Sequence, residues 1–175
     1  MRGFSSDSFT HLDSKGQPNM VSVSSKQPSA RKAVAFARIR VGEAAFKAIQ
    51  SNQVAKGNVL TISQLAGIMA AKDTPRIIPL CHGINLDTVK VRAKLEPDSA
   101  SVKVLCEARC EGKTGVEMEA MVGASVAALT VYDMCKAFGK AMVIEDVRLL
   151  TKEGGKSGTF MAEGAEEVLR DMNDD

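Results

Sequence analysis

The stretch VKVRAKLEPDSASVKVLCEARC, residues 89–110, decides the fold of this chain. Apolar and polar residues alternate from Val89 to Leu95 and again from Val102 to Cys110, which is typical of strands that bury one face. The sequence EPDSA between them contains the proline, aspartate and serine that favour a turn. Two alternating runs joined by a short turn predict an antiparallel hairpin.

Strands and helices alternate on both sides of this hairpin. The predicted elements are strands at 20–24 and 32–41, helices at 42–51 and 58–72, the hairpin, a helix at 114–138 and a strand at 143–150. Pro75 is expected to end the second helix, and the proline-containing segment 77–82 is expected to be irregular. This order predicts an α+β fold with helices packed on one face of an antiparallel sheet, in a ferredoxin-like arrangement.

The composition is typical of a soluble globular domain. The chain has 175 residues, of which 45% are hydrophobic and 25% charged, with a net charge of +2. So small a charge argues against nucleic acid as a partner, and the absence of Trp removes a common stacking platform. We find no stretch approaching the roughly 20 apolar residues that span a bilayer, so no membrane is expected. The four cysteines form no CxxC pair, which favours reduced thiols.

We divide the chain into three segments. Residues 1–18 form a polar N-terminal segment, 19–160 a single domain and 161–175 a charged C-terminal tail. The N-terminal segment has no apolar signal core, so we expect a cytoplasmic protein. The mitochondrial matrix, which is also reducing, is the alternative for a eukaryotic source.

The long helix contains two recognisable sequence patterns, one at its start and one in its middle. Thr114 and Glu117 have the spacing of a capping box, which predicts a start near Thr114. The small residues at 123–128 allow another element to approach closely, and close packing explains them better than a ligand contact.

An acidic and a basic residue share one stripe of this helix. Asp133 and Lys136 lie about 60° apart around the helix axis, with Lys140 between them and Glu119 on the other side of Asp133. On helical geometry alone, a solvated face with spaced ion pairs is the preferred interpretation of this stripe. Apolar neighbours can shift pKa values, however, which makes Asp133 and Lys136 candidates for proton transfer.

Two lysines follow glycines in patterns that resemble the end of a phosphate-binding loop. Lys113 follows Gly112, and Lys156 lies in the sequence GGKSG at 154–158, but neither pattern has the earlier glycine of the full motif. Each segment can still bind an anion through backbone amides, or be a solvated turn. Together with Lys56, Lys136 and Lys152, Lys156 could neutralise a triphosphate.

Cys81 and His82 suggest metal or acid–base chemistry. The chain has only two histidines, and His11 lies in the polar N-terminal segment. Because a structural zinc site needs four ligands, we expect no metal site. His82 is a candidate acid–base or hydrogen-bonding group, and a turn histidine is the alternative.

Several ordered segments closely resemble those of the MoaC family, the cyclic pyranopterin monophosphate synthases. The similarity covers roughly residues 9–160. The segments are Lys56-Gly-Asn-Val, LAGIMAAKDT at 65–74, IPLCH at 78–82, GKTGVEMEA at 112–120, ASVAALTVYDMCK at 124–136 and LLTKEGGKSG at 149–158.

The resemblance implies a lyase of molybdenum cofactor biosynthesis. Its substrate would be 3′,8-cyclo-7,8-dihydroguanosine triphosphate, supplied by a radical enzyme, and its products cyclic pyranopterin monophosphate and pyrophosphate. The resemblance also implies a ferredoxin-like fold and a homohexamer of three dimers, with pockets between subunits. No cofactor is implied, and Mg²⁺ accompanying the triphosphate stays an alternative.

The resemblance assigns roles to individual residues. Asp133 and Lys136 match the catalytic residues. The substrate-binding positions are matched by Lys56, Leu80, Cys81, His82, Glu117, Met118, Glu119, Lys152 and Lys156. Two positions depart from the family pattern, because Asn58 stands where aspartate is frequent and Gly83 where proline is frequent.

Two hypotheses from other classes remain beside the enzyme. The first is a ferredoxin-like module that binds a nucleotide without changing it, and the second is a structural subunit of an oligomer. Conversion of the ligand distinguishes the enzyme from both.

Overall fold

The computed structural model describes residues 15–174. His11 and most of the predicted N-terminal segment lie outside this range. Within the range the elements are β1 (Ser29–Arg40), α1 (Glu43–Gln50), α2 (Val59–Ile77), β2 (Thr88–Glu96), a 3₁₀ turn (Pro97–Ser99), β3 (Ser101–Gly112), α3 (Glu117–Cys135), β4 (Val143–Glu153), β5 (Phe160–Met161) and α4 (Ala165–Asp171).

The five strands form one antiparallel sheet in the order β2-β3-β1-β4-β5. The predicted hairpin is confirmed, since β2 pairs with β3 from Thr88 opposite Arg109 to Glu96 opposite Ser101. Strand β1 lies between β3 and β4 and is antiparallel to both. Leaving aside the short α1, β5 and α4, the βαββαβ order is that of the ferredoxin-like fold, so the predicted α+β class is confirmed.

Helices α1, α2 and α3 cover one face of the sheet. Alternate residues of β1, among them Ala33, Ala35 and Ala37, are buried in this core. Because these side chains are small, the long helices can lie close to the sheet and bury their own apolar faces against it.

Two glycines set the closest approach between α2 and α3. A Cβ atom on Gly67 would lie 2.8 Å from the carbonyl oxygen of Gly123. A Cβ atom on Gly123 would lie 2.5 Å from the Sγ atom of Cys106 and 3.1 Å from the carbonyl oxygen of Gly67. The small residues at 123–128 therefore serve close packing, as the sequence favours.

The opposite face of the sheet is covered by α4. This differs from the charged tail expected from residue 161, because the charged residues there alternate with apolar ones at helical spacing. Ala165, Val168, Leu169 and Met172 pack against a second buried cluster formed by Val34, Phe36, Leu105 and Leu150. The long helices are thus on one face as predicted, and the C-terminal helix is on the other.

Element boundaries differ from the predictions at three places. Helix α2 continues to Ile77 although Pro75 lies in its last turn, so the proline does not end the helix where it was expected to. Helix α3 begins at Glu117, and its N-cap, Val116, makes no side-chain bond, so the capping box predicted at Thr114 is absent. Residues 20–24 are not a strand; Val21 and Val23 line a cavity instead.

Helix α3 is long and apolar enough, by length and composition, to cross a bilayer. On that count the expectation that no such stretch exists is wrong. In the fold, however, 10 of its 19 residues are buried against the sheet and α2, as in the core helix of a soluble protein.

Candidate active site

The C-terminal end of α3 holds one carboxylate between two ammonium groups. Lys136 Nζ donates a hydrogen bond to Asp133 Oδ1 at 2.6 Å. Lys56, from the loop before α2, donates to Asp133 Oδ2 at 2.7 Å and to the Asp133 carbonyl oxygen at 2.8 Å. The predicted pairing of Asp133 with Lys136 on one stripe is present, and Lys56 joins it.

These hydrogen bonds favour the charged forms of Asp133 and Lys136. The bonds from Lys136 and then from Lys56 lower the pKa of Asp133 to about 2. The same contact with Asp133 raises the pKa of Lys136, so this lysine stays protonated at neutral pH. The Asp133 side chain is 58% exposed and that of Lys136 53%, so the desolvation expected from apolar neighbours is absent in the single chain.

Asn58 has a structural role beside this cluster. Its Oδ1 atom accepts a hydrogen bond from the Thr61 backbone N–H at 2.9 Å and thereby caps α2. Aspartate and asparagine serve equally as N-caps. The ammonium of Lys56 is directed by Asp133, so the departure at Asn58 does not misplace it.

A cavity of about 290 Å³ lies at the opposite end of α3. The irregular segment after α2 faces the first turn of α3 across it. Its lining includes six of the predicted substrate-binding residues, namely Leu80, Cys81, His82, Glu117, Met118 and Glu119. We call this space the carboxyl cavity.

Glu119 is the buried carboxyl of this cavity and is only 2% exposed. Burial raises its pKa, and the nearby charge of Glu117 raises it further. Burial and the charge of Glu119 also raise the pKa of the Cys81 thiol. Cys81 lines the cavity. Because the raised pKa keeps its thiol protonated, it is a poor nucleophile.

A second cavity, of about 250 Å³, adjoins the first, and Thr114, Gly115 and Glu117 line both. We call it the cationic cavity. Five basic side chains line it, namely Lys26, Arg31, Lys113, Lys152 and Lys156, and Glu117 is the one carboxylate among its described lining residues. So many cations around a small space suit a ligand with several negative charges.

Local packing places the loop that carries Lys156. Gly154 and Gly155 have φ angles of 90° and 78°. A Cβ atom on Gly154 would overlap the carbonyl of Ala30, and one on Gly155 would overlap the guanidinium of Arg31. The Lys152 ammonium donates to the Ser157 hydroxyl within this loop.

Lys26 and Arg31 were not singled out from the sequence. They come from the segment before β1 and from β1 itself, where no local pattern marks a ligand site. The Nε atom of Arg31 donates to the Gly112 carbonyl oxygen at 3.2 Å, which turns it toward the loop that carries Lys113. Only the pairing of β1 with β3 brings these segments together.

The predicted site residues form two groups in one chain. Glu117 and Asp133 are sixteen residues apart on α3, which at 1.5 Å per residue separates them by ~24 Å. The Asp133 cluster therefore lies far from both cavities of the same chain.

The fold and the two adjoining cavities define a ferredoxin-like protein built for a small ligand with several negative charges. In residues 15–174 no group of three or more His, Cys, Asp or Glu side chains is placed to hold a metal ion. The chain belongs to the MoaC family, whose model matches residues 20–155.

Similar proteins come from bacteria, plants and animals. "Cyclic pyranopterin monophosphate synthase" of Pelobacter propionicus is 50% identical over 155 residues, which are 89% of this chain and 97% of that protein. "Cyclic pyranopterin monophosphate synthase, mitochondrial" of Arabidopsis thaliana is 51% identical over 87% of this chain and 56% of its own length. "Molybdenum cofactor biosynthesis protein 1" of Drosophila melanogaster is 54% identical over 85% of this chain, which spans 26% of that longer protein.

Proposed function

We propose that this chain is a cyclic pyranopterin monophosphate synthase of molybdenum cofactor biosynthesis. It acts as a lyase on 3′,8-cyclo-7,8-dihydroguanosine triphosphate and releases pyrophosphate. The observation that carries this proposal is the cationic cavity directly beside the carboxyl cavity, because the substrate joins a polyanionic tail to a purine-derived ring.

The cationic cavity takes the triphosphate. Closure of the cyclic phosphate forms a bond from a sugar hydroxyl oxygen to the α-phosphorus and breaks the bond to the pyrophosphate oxygen. Negative charge develops on that leaving oxygen, and the ammonium groups of Lys152 and Lys156 together with Arg31 stabilise it. Mg²⁺ accompanying the triphosphate stays an alternative.

The carboxyl cavity takes the ring system. Leu80 and Met118 offer apolar contact, and the buried Glu119 can exchange hydrogen bonds with ring N–H and amino groups. A buried polar group that only the correct ring satisfies is an effective means of selection.

Asp133 and Lys136 supply the proton transfers that ring opening and rearrangement require. Because they lie ~24 Å along α3 from the cavities, we propose that they act on substrate held by a second subunit. Exposed apolar side chains on α2 and α3, namely Ile62, Leu65, Met69, Met118 and Leu129, offer a surface for such a contact. A homohexamer of three dimers is the assembly we propose.

Desolvation at such a subunit contact would change the electrostatics of the pair. Covering Asp133, Lys136 and Lys56 removes the water that now screens them, so their mutual attraction strengthens. The substrate is supplied by a radical enzyme, and no redox cofactor takes part. We propose the bacterial cytoplasm, or the mitochondrial matrix, as the compartment.

The first test is incubation of the purified protein with the cyclised guanosine-triphosphate derivative. Pyrophosphate release and pterin formation are followed together. We expect both products from the wild type and neither from Lys136→Ala or Asp133→Ala. An intermediate that binds and survives unchanged would make the chain a binding module, and no binding at all would favour a structural subunit.

A mixing experiment tests the shared site. Lys136→Ala and His82→Ala are each expected to be inactive, because one lacks the proton donor and the other alters the carboxyl cavity. If each site takes residues from two subunits, co-refolded mixtures regain about a quarter of wild-type activity, since half the dimers hold one intact site. A mixture as inactive as its parents contradicts the shared site and leaves the lyase assignment standing.

A further inference from the structure

The C-terminal helix is connected closely to the cationic cavity. Strand β5 closes the loop that carries Lys156, and only residues 162–164 separate β5 from α4. Both β5 and α4 lie beyond residue 155, where the match to the family model ends.

The returning leg of this loop is held weakly by its own sheet contacts. Strand β5 pairs with β4 at two positions only, Thr151 with Met161 and Lys152 with Phe160. One further backbone bond, from Ala162 N to the Leu150 carbonyl oxygen at 2.8 Å, extends the pairing. So short a ladder is not stable by itself.

The loop between β4 and β5 has a backbone that contributes little to the rigidity of Lys156. Three of its six residues between Glu153 and Phe160 are glycines with positive φ, Gly154, Gly155 and Gly158. Glycines lose much conformational entropy when they are ordered. The position of Lys156 therefore depends on what fixes the two ends of the loop.

Helix α4 holds the end of the loop that continues into β5, and it does so from the opposite face of the sheet. Its buried residue Ala165 and its C-cap Met172 lie in the second core with Leu105 and Leu150. The carbonyl oxygen of Leu150 also accepts the hydrogen bond from Ala162 N. Leu150 on β4 therefore contacts both α4 and the segment that follows β5.

Lys94 on β2 holds the carboxyl end of α4. Its Nζ atom donates to the Asp171 carbonyl oxygen at 2.6 Å and to the Asp174 carbonyl oxygen at 2.7 Å. Lysine is favourable at this position, since it satisfies free carbonyls and the negative end of the helix dipole.

A second basic residue, Lys103, also contacts the carboxyl end of α4. Lys94 lies directly opposite Lys103 on β3, an arrangement that is destabilising for two like charges. The Asp171 carboxylate accepts a hydrogen bond from Lys103 at 3.2 Å and lies 3.9 Å from the Lys94 ammonium. The two lysines are therefore electrostatically complementary to the negative carboxyl end of α4.

We propose that Lys94 is a positioning residue for the anion-binding loop. By holding α4 it fixes β5, and through β5 it fixes Lys152 and Lys156, although it does not touch the ligand. This inference rests on the proposed function, because it assigns the ligand of the loop to the triphosphate of that substrate.

The test compares Lys94→Met with Lys90→Met in the full chain. Lys90 is exposed, on the same strand and the same face, and donates neither bond to α4, so it is a matched control. The first readout is hydrogen exchange of the segment 160–162. We expect about tenfold faster exchange in Lys94→Met, the control unchanged, and protection restored by Lys94→Arg.

The second readout is binding of inorganic triphosphate, measured by calorimetry. We expect affinity to fall about tenfold in Lys94→Met and to be retained in Lys90→Met. In turnover, KM should rise in Lys94→Met and kcat should fall as well, because Lys152 and Lys156 also stabilise the leaving oxygen, whereas Lys90→Met should leave both unchanged. A general loss of stability does not produce the rise in KM.

The outcomes separate this inference from the proposed function. Unchanged exchange at 160–162, or faster exchange with unchanged triphosphate affinity, overturns the role of Lys94. Wild-type protein that does not bind triphosphate contradicts the proposed function, and the inference, which depends on it, then fails as well. Wild-type binding that Lys152→Ala abolishes and Lys94→Met leaves intact overturns only the inference.

Discussion

The two ends of α3 hold carboxyl groups in opposite electrostatic states. Glu119, in the first turn, is 2% exposed, and burial raises its pKa. Asp133, four turns later, has an exposed side chain whose bonds to Lys136 and Lys56 lower its pKa to about 2. One helix thus presents a carboxyl whose ionisation is disfavoured by burial and another whose ionisation is favoured by two lysines.

The difference shows that the partner groups decide the chemistry of a carboxyl more than its secondary structure does. Glu119 has the cavity wall around it and no basic partner among the described hydrogen bonds and ion pairs. Asp133 has an ammonium group on each oxygen. A buried carboxyl beside a cavity suits ring recognition, whereas an exposed carboxylate paired with lysine suits proton transfer.

The largest expected effect is at the Asp133 end. Lys136→Ala removes the proton donor, so kcat should fall by about 10³-fold. Lys140→Ala, a lysine of the same stripe beyond the helix end, should change kcat by less than about twofold. Steady-state turnover with matched circular dichroism spectra provides the measurement; equal losses in both variants would remove the special role of Lys136.

A substitution in the middle of α3 tests the close packing that holds this helix, and so both of its ends, in place. Gly123→Ala places a methyl group 2.5 Å from the buried Sγ atom of Cys106. Overpacking here costs about 3 kcal/mol, against about 1 kcal/mol gained from helix propensity, so we expect a net loss of about 2 kcal/mol. Urea unfolding measures it. Gly139→Ala has nothing within 4 Å of the new methyl group and should be nearly neutral.

The smallest effect is a pH dependence of stability at the Glu119 end. Since the folded state raises the pKa of Glu119 above 4.5, this residue supports stability fully below about pH 4.5 and less as the pH rises through the folded pKa. Glutamine does not titrate. The melting temperature of Glu119→Gln, relative to wild type, should therefore be higher at pH 7.5 than at pH 4.5.

Asp133→Asn is the control with the opposite sign. The lowered pKa means that Asp133 contributes stability above its ordinary pKa of 3.8 and loses it as the pH falls toward about 2. The variant should be slightly less stable than wild type at neutral pH and equal to it near pH 2. Parallel pH profiles for Glu119→Gln and Asp133→Asn would contradict the comparison of the two helix ends.

Local patterns predicted much of the fold. Alternation over 89–110 predicted the hairpin, and the spacing of three between Asp133 and Lys136 predicted their contact. The stripe of Ala165, Val168, Leu169 and Met172 was equally visible, but the charges around it favoured a tail. The capping box at Thr114 did not form, because the helix begins three residues later, at Glu117, with Val116 as its N-cap.

The resemblance located the predicted site residues, and their roles remain predictions. Leu80 to His82 and Glu117 to Glu119 do line one cavity, and Lys152 and Lys156 line the next. Lys26 and Arg31 could not be predicted from the residues, since a lone basic residue beside a strand carries no local signal of a ligand.

The sequence by itself determined the hairpin, the long helices and the α+β class, because strand and helix periodicity depend on neighbours within a few residues. It also determined the pairing of Asp133 with Lys136, since one turn of helix brings them together. Only the tertiary structure decided which lysines and arginine surround one cavity, and that Asp133 lies ~24 Å along the helix from it. Burial in the packed chain raises the pKa of Glu119, because solvation depends on the whole fold. The pKa of Asp133 is lowered first by its neighbour Lys136 and then by Lys56, which only the tertiary structure brings to it.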